Sequence, residues 1–365
     1  MNINEPNKVE VEVNELNESE IKNKPLMLLS KDKLMTVSPS PHIRSHETTS
    51  TIMTDVIIAM MPALAWGVYI FGFRALSLTV ISVISCVFFE FIYQFIMKKP
   101  TTLGDLSAVV TGVLIAFNLP VNAPLWIPIV GGAFAIILVK QLFGGIGKNI
   151  VNPAIAARIF LFISFPKYMS VFVDITKEKL SPFAIQPDFD AIVGATPLNA
   201  LKEGLMPSAY GFELFDMILG QKGGCIGEVS VVLLFAGGVY LMMRKVITWH
   251  IPLTFIGTVA ALTYIFPKNE DMLNFCLNEV FAGGLFLGAF FMATDYVTSP
   301  ITKSGKLIFG IGCGLITVFI RYFGGYPEGV SFAIMIMNLF VWYIDKLTKP
   351  VKFGGKSDVN RQHSK

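Results

Sequence analysis

Long apolar segments constrain the fold of this chain more than any other sequence feature. Hydrophobic residues make up 53% of its 365 residues and charged residues only 15%, against about 25% charged residues in ordinary soluble domains. A helix needs roughly 20 apolar residues to cross a bilayer core. The sequence therefore predicts an all-α polytopic membrane protein with about ten transmembrane helices, at 54–73, 75–97, 106–119, 125–143, 151–165, 226–243, 251–267, 280–296, 307–323 and 331–345.

Polar segments divide the chain into five parts. Residues 1–50 are rich in Glu, Asn, Lys and Ser, which predicts a disordered tail because such a segment cannot bury enough apolar surface to fold alone. Residues 346–365 form a basic polar tail. Between the tails we predict two five-helix repeats, at 51–165 and 226–345, joined by a long loop at 166–225.

Lys and Arg in the short loops predict how these helices are oriented, because cytoplasmic loops carry an excess of both. With ten helices the two termini share one side, and that side collects Lys98, Lys99, Lys148, Arg244, Lys245, Lys303 and Lys306. The short loops of the other side contain only Arg74, Lys268 and Arg321. Both termini are thus predicted to be cytoplasmic in a multi-pass protein of the cell membrane, with the loop 166–225 outside.

Cysteine and histidine usage limits the possible redox chemistry. The four cysteines are far apart in sequence, without a C-x-x-C pair, so an iron–sulfur or zinc site made by this chain alone is not expected. Cys225 and Cys276 both fall near the predicted outer face, which leaves a disulfide open. The four histidines lie outside the predicted helices, which excludes a haem held by two membrane histidines. Any redox chemistry is expected to use an organic cofactor. The net charge of +3 contains no basic run that would indicate nucleic acid.

The chain contains a weak internal repeat. Phe143-Gly144-Gly145 recurs 180 positions later as Phe323-Gly324-Gly325, and Pro120 closes the third helix as Pro300 follows the eighth. Five helices per half invert the second half relative to the first, as in many membrane carriers, whose short, broken helices form a midplane binding site. The third and fifth predicted helices are short. Alternatively, the glycines serve close helix packing.

Several motifs, spread over residues 38–348, resemble the RnfD family, the D-type membrane subunits of the Rnf complexes, which are ion-translocating ferredoxin:NAD oxidoreductases. That family is related to the B-type subunit of the sodium-translocating NADH:quinone reductase. The motifs are Ser38-Pro-Ser-Pro-His-Ile43, Phe143-Gly-Gly-Ile-Gly-Lys-Asn-Ile-Val-Asn-Pro-Ala154, Gly194-Ala-Thr-Pro-Leu198, Met292-Ala-Thr-Asp295 with Ser299-Pro300, Leu307-Ile-Phe-Gly310 and Gly324-Gly-Tyr-Pro-Glu-Gly-Val330.

The resemblance implies a covalent flavin on the outer loop. In the family, a threonine hydroxyl holds FMN through a phosphoester, and Thr196 occupies that position. Asp190, Gly194 and Ala195 match the rest of the attachment motif. Val193 departs from it, because the family has Ser or Thr there.

The resemblance also implies a second flavin, riboflavin, within the membrane core, for which Asn149, Asn152 and Arg158 are the candidate contacts. Electrons would pass from ferredoxin to NAD through Fe–S centres and flavins, coupled to export of Na⁺ or H⁺. The implied partners are membrane Fe–S subunits, a second FMN-carrying subunit, ferredoxin- and NADH-facing subunits, a flavin transferase and the lipid membrane.

Charged residues within predicted helices are costly and mark functional candidates. Arg158 could contact a flavin edge or pair with Glu90. Asp295, beside Thr294 and Ser299, could lie on a Na⁺ path, since hard cations prefer oxygen ligands, or could be a solvated helix end. Two other functions remain open from sequence: a secondary solute transporter without a redox cofactor, and a structural scaffold. The outer loop with Thr196 favours the redox subunit, because a carrier does not need it.

Overall fold

The computed structural model describes residues 47–170, 172, 196–205, 207–210, 213–220, 223–228, 230–326 and 328–350. Most of the two predicted tails lies outside these ranges, as do Asp190, Val193, Gly194 and Ala195 of the predicted attachment motif. Every named element in the described part is a helix, so the predicted all-α class is confirmed.

The first half of the chain forms five helical segments. The fourth begins as an α-helix and continues as a π-helix, Phe134–Gln141. The segments are α1 (Thr49–Phe71), α2 (Phe73–Ile96), α3 (Ser107–Phe117), α4 (Ile127–Ala133) and α5 (Pro153–Ser164). The predicted shortness of the third and fifth helices is confirmed, because α3 has 11 residues and α5 has 12.

The described residues of 166–225 form short helices: α6 (Pro166–Met169), α7 (Pro197–Lys202), the 3₁₀ turn Pro207–Tyr210 and α8 (Leu214–Leu219). The 3₁₀ turn Ile226–Glu228 precedes the second half of the chain. Its segments are α9 (Val231–Met243), α10 (His250–Ile265), α11 (Met272–Phe281), α12 (Leu285–Leu287) with the π-helix Gly288–Met292, α13 (Lys303–Phe323) and α14 (Val330–Thr348).

The predicted eighth helix, 280–296, is corrected by the structure. It is a bent pair, Met272–Phe281 and Leu285–Met292, with an angle of 59° at the break. The first member contains the polar residues Asn274, Asn278 and Glu279. Because of them the segment is not a continuous apolar run, and the sequence did not predict it as a membrane helix. Gly283 at the break has φ 68°, a left-handed conformation that glycine adopts without strain.

Length and composition qualify four helices in the described part as able to cross a membrane, α1, α2, α13 and α14, or five if the bent pair counts as one. The other apolar helices are 10–17 residues long. Each of the ten predicted segments nevertheless contains a helix. Large apolar side chains such as Tyr69, Phe95, Phe319 and Trp342 remain exposed on the long helices, as expected of a surface that faces lipid.

The two halves pack in matching patterns. In the first half α2 packs against α3 and α4, and in the second half α10 packs against α11 and α13. Across the halves, the first helices α1 and α9 pack together, and so do the last helices α5 and α14. This pattern is the one that the predicted inverted repeats would produce. The shared interface therefore runs through the centre of the molecule.

Candidate functional site

A cavity of about 360 Å³ lies where the two halves meet. Its volume falls within the roughly 300–1,000 Å³ typical of small-molecule sites. Its walls come from α1, α3, the segment before α5, the α9–α10 connection and residues 290–297. Three of the residues predicted from sequence line it: Asn149, Asn152 and Asp295. Most of the remaining lining is aliphatic or aromatic, so the cavity combines an apolar body with a few polar groups.

Asn152 is fixed in the cavity wall because it caps α5. Its Oδ1 accepts hydrogen bonds from the N–H groups of Ala154 (2.9 Å) and Ile155 (3.5 Å), and Pro153 occupies the first helical position, where no N–H is needed. Its Nδ2 donates to the carbonyl oxygen of Met292 at 3.2 Å. That carbonyl ends the second π-helix, so Asn152 connects one half of the protein to the other.

Asn149 presents an unsatisfied polar atom near the cavity. Its Oδ1 is buried and accepts no hydrogen bond from any described residue. An isolated buried carbonyl oxygen costs free energy unless a donor reaches it, and the ring N–H or ribityl hydroxyls of a flavin are suitable donors.

Asp295 lies in the cavity wall just after the second π-helix. Its Oδ2 accepts a hydrogen bond from Thr298 Oγ1 at 3.0 Å, and its backbone carbonyl accepts from the N–H of Ser299 at 3.1 Å. It forms no ion pair with a described residue. The α3 residues Ser107 and Thr111 line the same cavity, so the third and eighth segments meet there, as the repeat predicts.

Arg158 does not line the cavity, and its predicted pairing with Glu90 is wrong. Arg158 Nη1 donates to Asn118 Oδ1, and its guanidinium pairs with Glu328 and, at 3.7 Å, with Glu228. Glu90 instead pairs with Lys140, whose Nζ lies 2.8 Å from both carboxylate oxygens. The reason is packing: α2 contacts α4 and the first π-helix that follows it, which carries Lys140.

Five charged residues of the ion pairs around Glu90, Arg158 and Glu279 were not among the functional candidates predicted from the sequence, and four of the five are buried. A usable signal existed for Lys140 and Arg321, because each falls inside a predicted helix, where charge is costly. Arg321 pairs with Glu279 at 2.8 Å. Glu228 also falls inside a predicted helix, 226–243, and gave the same signal, whereas Glu279 and Glu328 lie just outside the predicted helices and gave none. The five residues are Lys140, Glu228, Glu279, Arg321 and Glu328.

The 180-residue offset relates contacts in space as well as letters in sequence. Arg158 on α5 donates to Asn118, which follows α3. Asn338 on α14, with its amide oriented so that the nitrogen donates, bonds the carbonyl of Thr298 at 3.0 Å. Asn338 and Thr298 each stand 180 positions after Arg158 and Asn118. In the same orientation the Asn338 oxygen accepts from the N–H of Asn152 at 3.2 Å, so the second of these contacts reaches a residue of the cavity wall.

Thr196 caps α7 on the other side of the predicted membrane core. Its Oγ1 accepts a hydrogen bond from the Asn199 N–H at 3.3 Å, and the residue is 7% exposed. Leu198 and Leu201 of α7 pack in a small cluster with Phe275 and Ala282. The threonine is therefore held close to the break in the bent pair.

The Cys225–Cys276 disulfide that the sequence left open does not form, because all four cysteines are free and buried. Cys225 is held by an isolated bridge with Pro120, and the Sγ of Cys276 donates to the carbonyl of Ala260 on α10.

The family described as "NQR2, RnfD, RnfE family" matches residues 36–354. The chain belongs to this family. The family assignment made from sequence motifs is thereby confirmed.

Curated relatives match over nearly their whole length. The chain is 47% identical over 325 residues to the D-type subunit of the Na⁺-translocating ferredoxin:NAD⁺ oxidoreductase complex of Acetobacterium woodii, covering 88% of this chain and 95% of that protein. It is 42% identical over 335 residues to the proton-translocating counterpart of Clostridium ljungdahlii, covering 89% and 97%. It is 37% identical over 337 residues to the D-type subunit of the ion-translocating oxidoreductase complex of Halorhodospira halophila, covering 86% and 94%. All three relatives are named as subunits of ion-translocating oxidoreductase complexes.

Proposed function

We propose that this chain is the flavin-carrying membrane subunit of an ion-translocating ferredoxin:NAD oxidoreductase. The observation that carries the proposal is the match to the D-type subunits of such complexes over almost the full length of both chains. The inter-repeat cavity with its polar atoms adds a place for a cofactor. The solute-transporter alternative explains the cavity but not the match to oxidoreductase subunits.

Thr196 would carry FMN through a phosphoester. The observed geometry suits this, because Oγ1 accepts the Asn199 hydrogen bond through a lone pair and its own proton makes no described hydrogen bond. Esterification replaces that proton and leaves the capping lone pair in place. The flavin, once bound, supplies reversible one- and two-electron transfer, while α7 holds its attachment point against the bent pair.

The central cavity would hold a second flavin, riboflavin. Asn149 Oδ1 offers an unsatisfied acceptor, Asn152 offers a fixed amide, and Phe290 and Phe291 offer apolar walls. A flavin has a flat apolar ring system and one polar edge, which matches this lining. Arg158 would act on the cavity only through its neighbours, because it does not line it.

Ion export would use Asp295. It is a carboxylate in the cavity wall with no ion-pair partner among described residues, so a cation passing from the predicted cytoplasmic side meets a negative charge there. The other Rnf subunits would supply the Fe–S centres, the second FMN and the ferredoxin- and NADH-facing sites.

The attachment of FMN is tested by mass spectrometry of the peptide that contains Thr196, isolated from the active complex. We expect an FMN-sized mass addition, and in-gel flavin fluorescence that disappears in Thr196→Ala. Thr302→Ala is the matched control, because Thr302 also caps a helix through its Oγ1, at 3.0 Å from the Gly305 N–H. An unmodified Thr196 peptide from active complex would overturn the proposal.

Riboflavin is tested separately, by counting non-covalent flavin released when the purified complex is denatured. Asn149→Ala should reduce that count while leaving the covalent flavin on Thr196. A normal non-covalent flavin content in Asn149→Ala and in Asn152→Ala would place riboflavin elsewhere.

A further inference from the structure

A buried charge cluster lies where α5 meets the segments that lead into α9 and α14. We call its members, Arg158, Cys225, Glu228 and Glu328, the outer cluster, since the predicted orientation puts the starts of α9 and α14 on the outer side. The sulfur of Cys225 and one carboxylate oxygen each from Glu228 and Glu328 lie within 4.8 Å of one another. Cys225 is 2% exposed and Glu228 is 4% exposed, whereas the Glu328 side chain is 21% exposed. Any unbalanced charge in the cluster therefore concerns mainly the buried Glu228.

The charges of the outer cluster do not balance. Arg158 provides one positive charge for two carboxylates, whereas the Glu90–Lys140 and Glu279–Arg321 pairs match one to one. Glu228 Oε1 is buried and accepts no hydrogen bond from a described residue. The nearest cationic atom that pairs with it is Arg158 Nη2, at 3.7 Å. An uncompensated charge in a buried site is expensive, so one further positive charge is expected there.

The chemistry of the cluster favours a small monovalent cation. A single charge brings Arg158, Glu228 and Glu328 to neutrality, whereas a divalent ion would leave an excess positive charge. Carboxylate oxygens suit a hard cation. The Cys225 thiol is a soft donor, which suits transition metals better than a hard monovalent cation.

The outer cluster is linked to the central cavity by hydrogen-bonded side chains. Asn152 lies in the cavity wall, and Arg158 lies six residues further along α5, about 9 Å at 1.5 Å per residue. Between them, Asn118 accepts from Arg158 and contacts Met292 Sδ at 3.7 Å, and Asn152 bonds the Met292 carbonyl. The outer cluster is thus connected to Asn152 in the wall of the cavity that Asp295 also lines.

We propose that Glu228 and Glu328 bind one monovalent cation, Na⁺ or a proton, at the outer end of the ion path, and that Arg158 neutralises the remaining carboxylate charge. The proposal rests on the ion-export role proposed above. It assigns the exit side of that path to residues outside the central cavity.

Carbodiimide labelling of the intact wild-type complex tests the proposal directly. Dicyclohexylcarbodiimide modifies buried protonated carboxyl groups, and mass spectrometry locates the label. We expect Glu228 or Glu328 to be labelled. If the cation is Na⁺, adding Na⁺ but not K⁺ should suppress labelling at least fivefold. If the cation is a proton, the extent of labelling should rise as the pH falls and should not change when Na⁺ is added. No label on either residue between pH 5.5 and 8 would overturn the proposal.

A second measurement uses Glu228→Gln and Glu328→Gln complexes in proteoliposomes, with the exposed Glu270→Gln as the control. We expect either variant to lower ion uptake per NADH formed at least fivefold, and Glu270→Gln to leave it unchanged. Wild-type ion uptake in both variants would overturn the proposal. The covalent flavin is quantified in the same samples, so absence of FMN from Thr196 would refute the flavin proposal without changing the labelling result.

Discussion

Lys140 lines the cavity and pairs with the buried Glu90. Removing either charge of this pair should destabilise the protein strongly. Lys140 Nζ lies 2.8 Å from both Glu90 oxygens and 2.6 Å from Ser107 Oγ. Both side chains are at most 2% exposed. Lys140→Met keeps the length of the side chain and leaves the carboxylate without its cation. Breaking a buried pair from one side costs about 3–5 kcal/mol, and we expect a loss of that size.

Removing both charges should cost less than removing either one. In the double variant Glu90→Gln, Lys140→Met, no desolvated charge remains, and the new amide oxygen still accepts from Gln141, which lies 2.8 Å from Glu90 Oε1. We therefore expect a coupling energy of about 2–3 kcal/mol between the two positions, near the upper end of measured values.

Thermal unfolding can be followed at Cys86, which is free and fully buried on the same helix as Glu90. Its alkylation, measured by mass spectrometry as the complex is heated, reports opening of this region even when other subunits contain cysteines. Lys148→Met, in an exposed turn, is the control and should leave the transition unchanged. A single variant whose free energy of unfolding falls by less than about 1 kcal/mol would contradict this prediction, because an unpaired desolvated charge costs more than that. A double variant whose loss equals the sum of the two single losses would contradict it as well.

Three further predictions concern the ion path, the α5 cap and the topology. Asp295→Asn should slow ion uptake and coupled electron transfer while leaving the flavin on Thr196. If this variant transports ions at the wild-type rate with unchanged ion dependence, Asp295 is only a solvated residue at a helix end. Asn152→Ala should lower stability by about 1–2 kcal/mol from the lost cap, measured by the same alkylation, and no shift would contradict the capping role. Single cysteines at positions 179 and 365 should react with an impermeant reagent from opposite sides of the membrane, and reaction from one side would overturn the predicted orientation.

Local sequence signals were sufficient where a property depends on neighbours along the chain. The apolar segments predicted the helical membrane class, and the third and fifth helices are as short as expected. Asn152-Pro153 marked the start of α5, because an asparagine cap followed by proline is a local signal. The predicted start of the eighth helix was wrong for a related reason. Local hydrophobicity excludes Glu279 from a membrane helix, and only the packed structure shows that Arg321 neutralises it.

The pairing of buried charges was decided only by the tertiary structure. Glu90 lies 68 positions before Arg158 and 50 before Lys140, and nothing in those spacings indicates which cation it meets. Because α2 packs against α4 and the first π-helix, Glu90 pairs with Lys140. Arg158 pairs instead with Glu228 and Glu328. Hydrophobicity is a property of each segment and can be read along the chain, whereas a buried charge must be neutralised by whichever group the packed helices bring within a few ångströms.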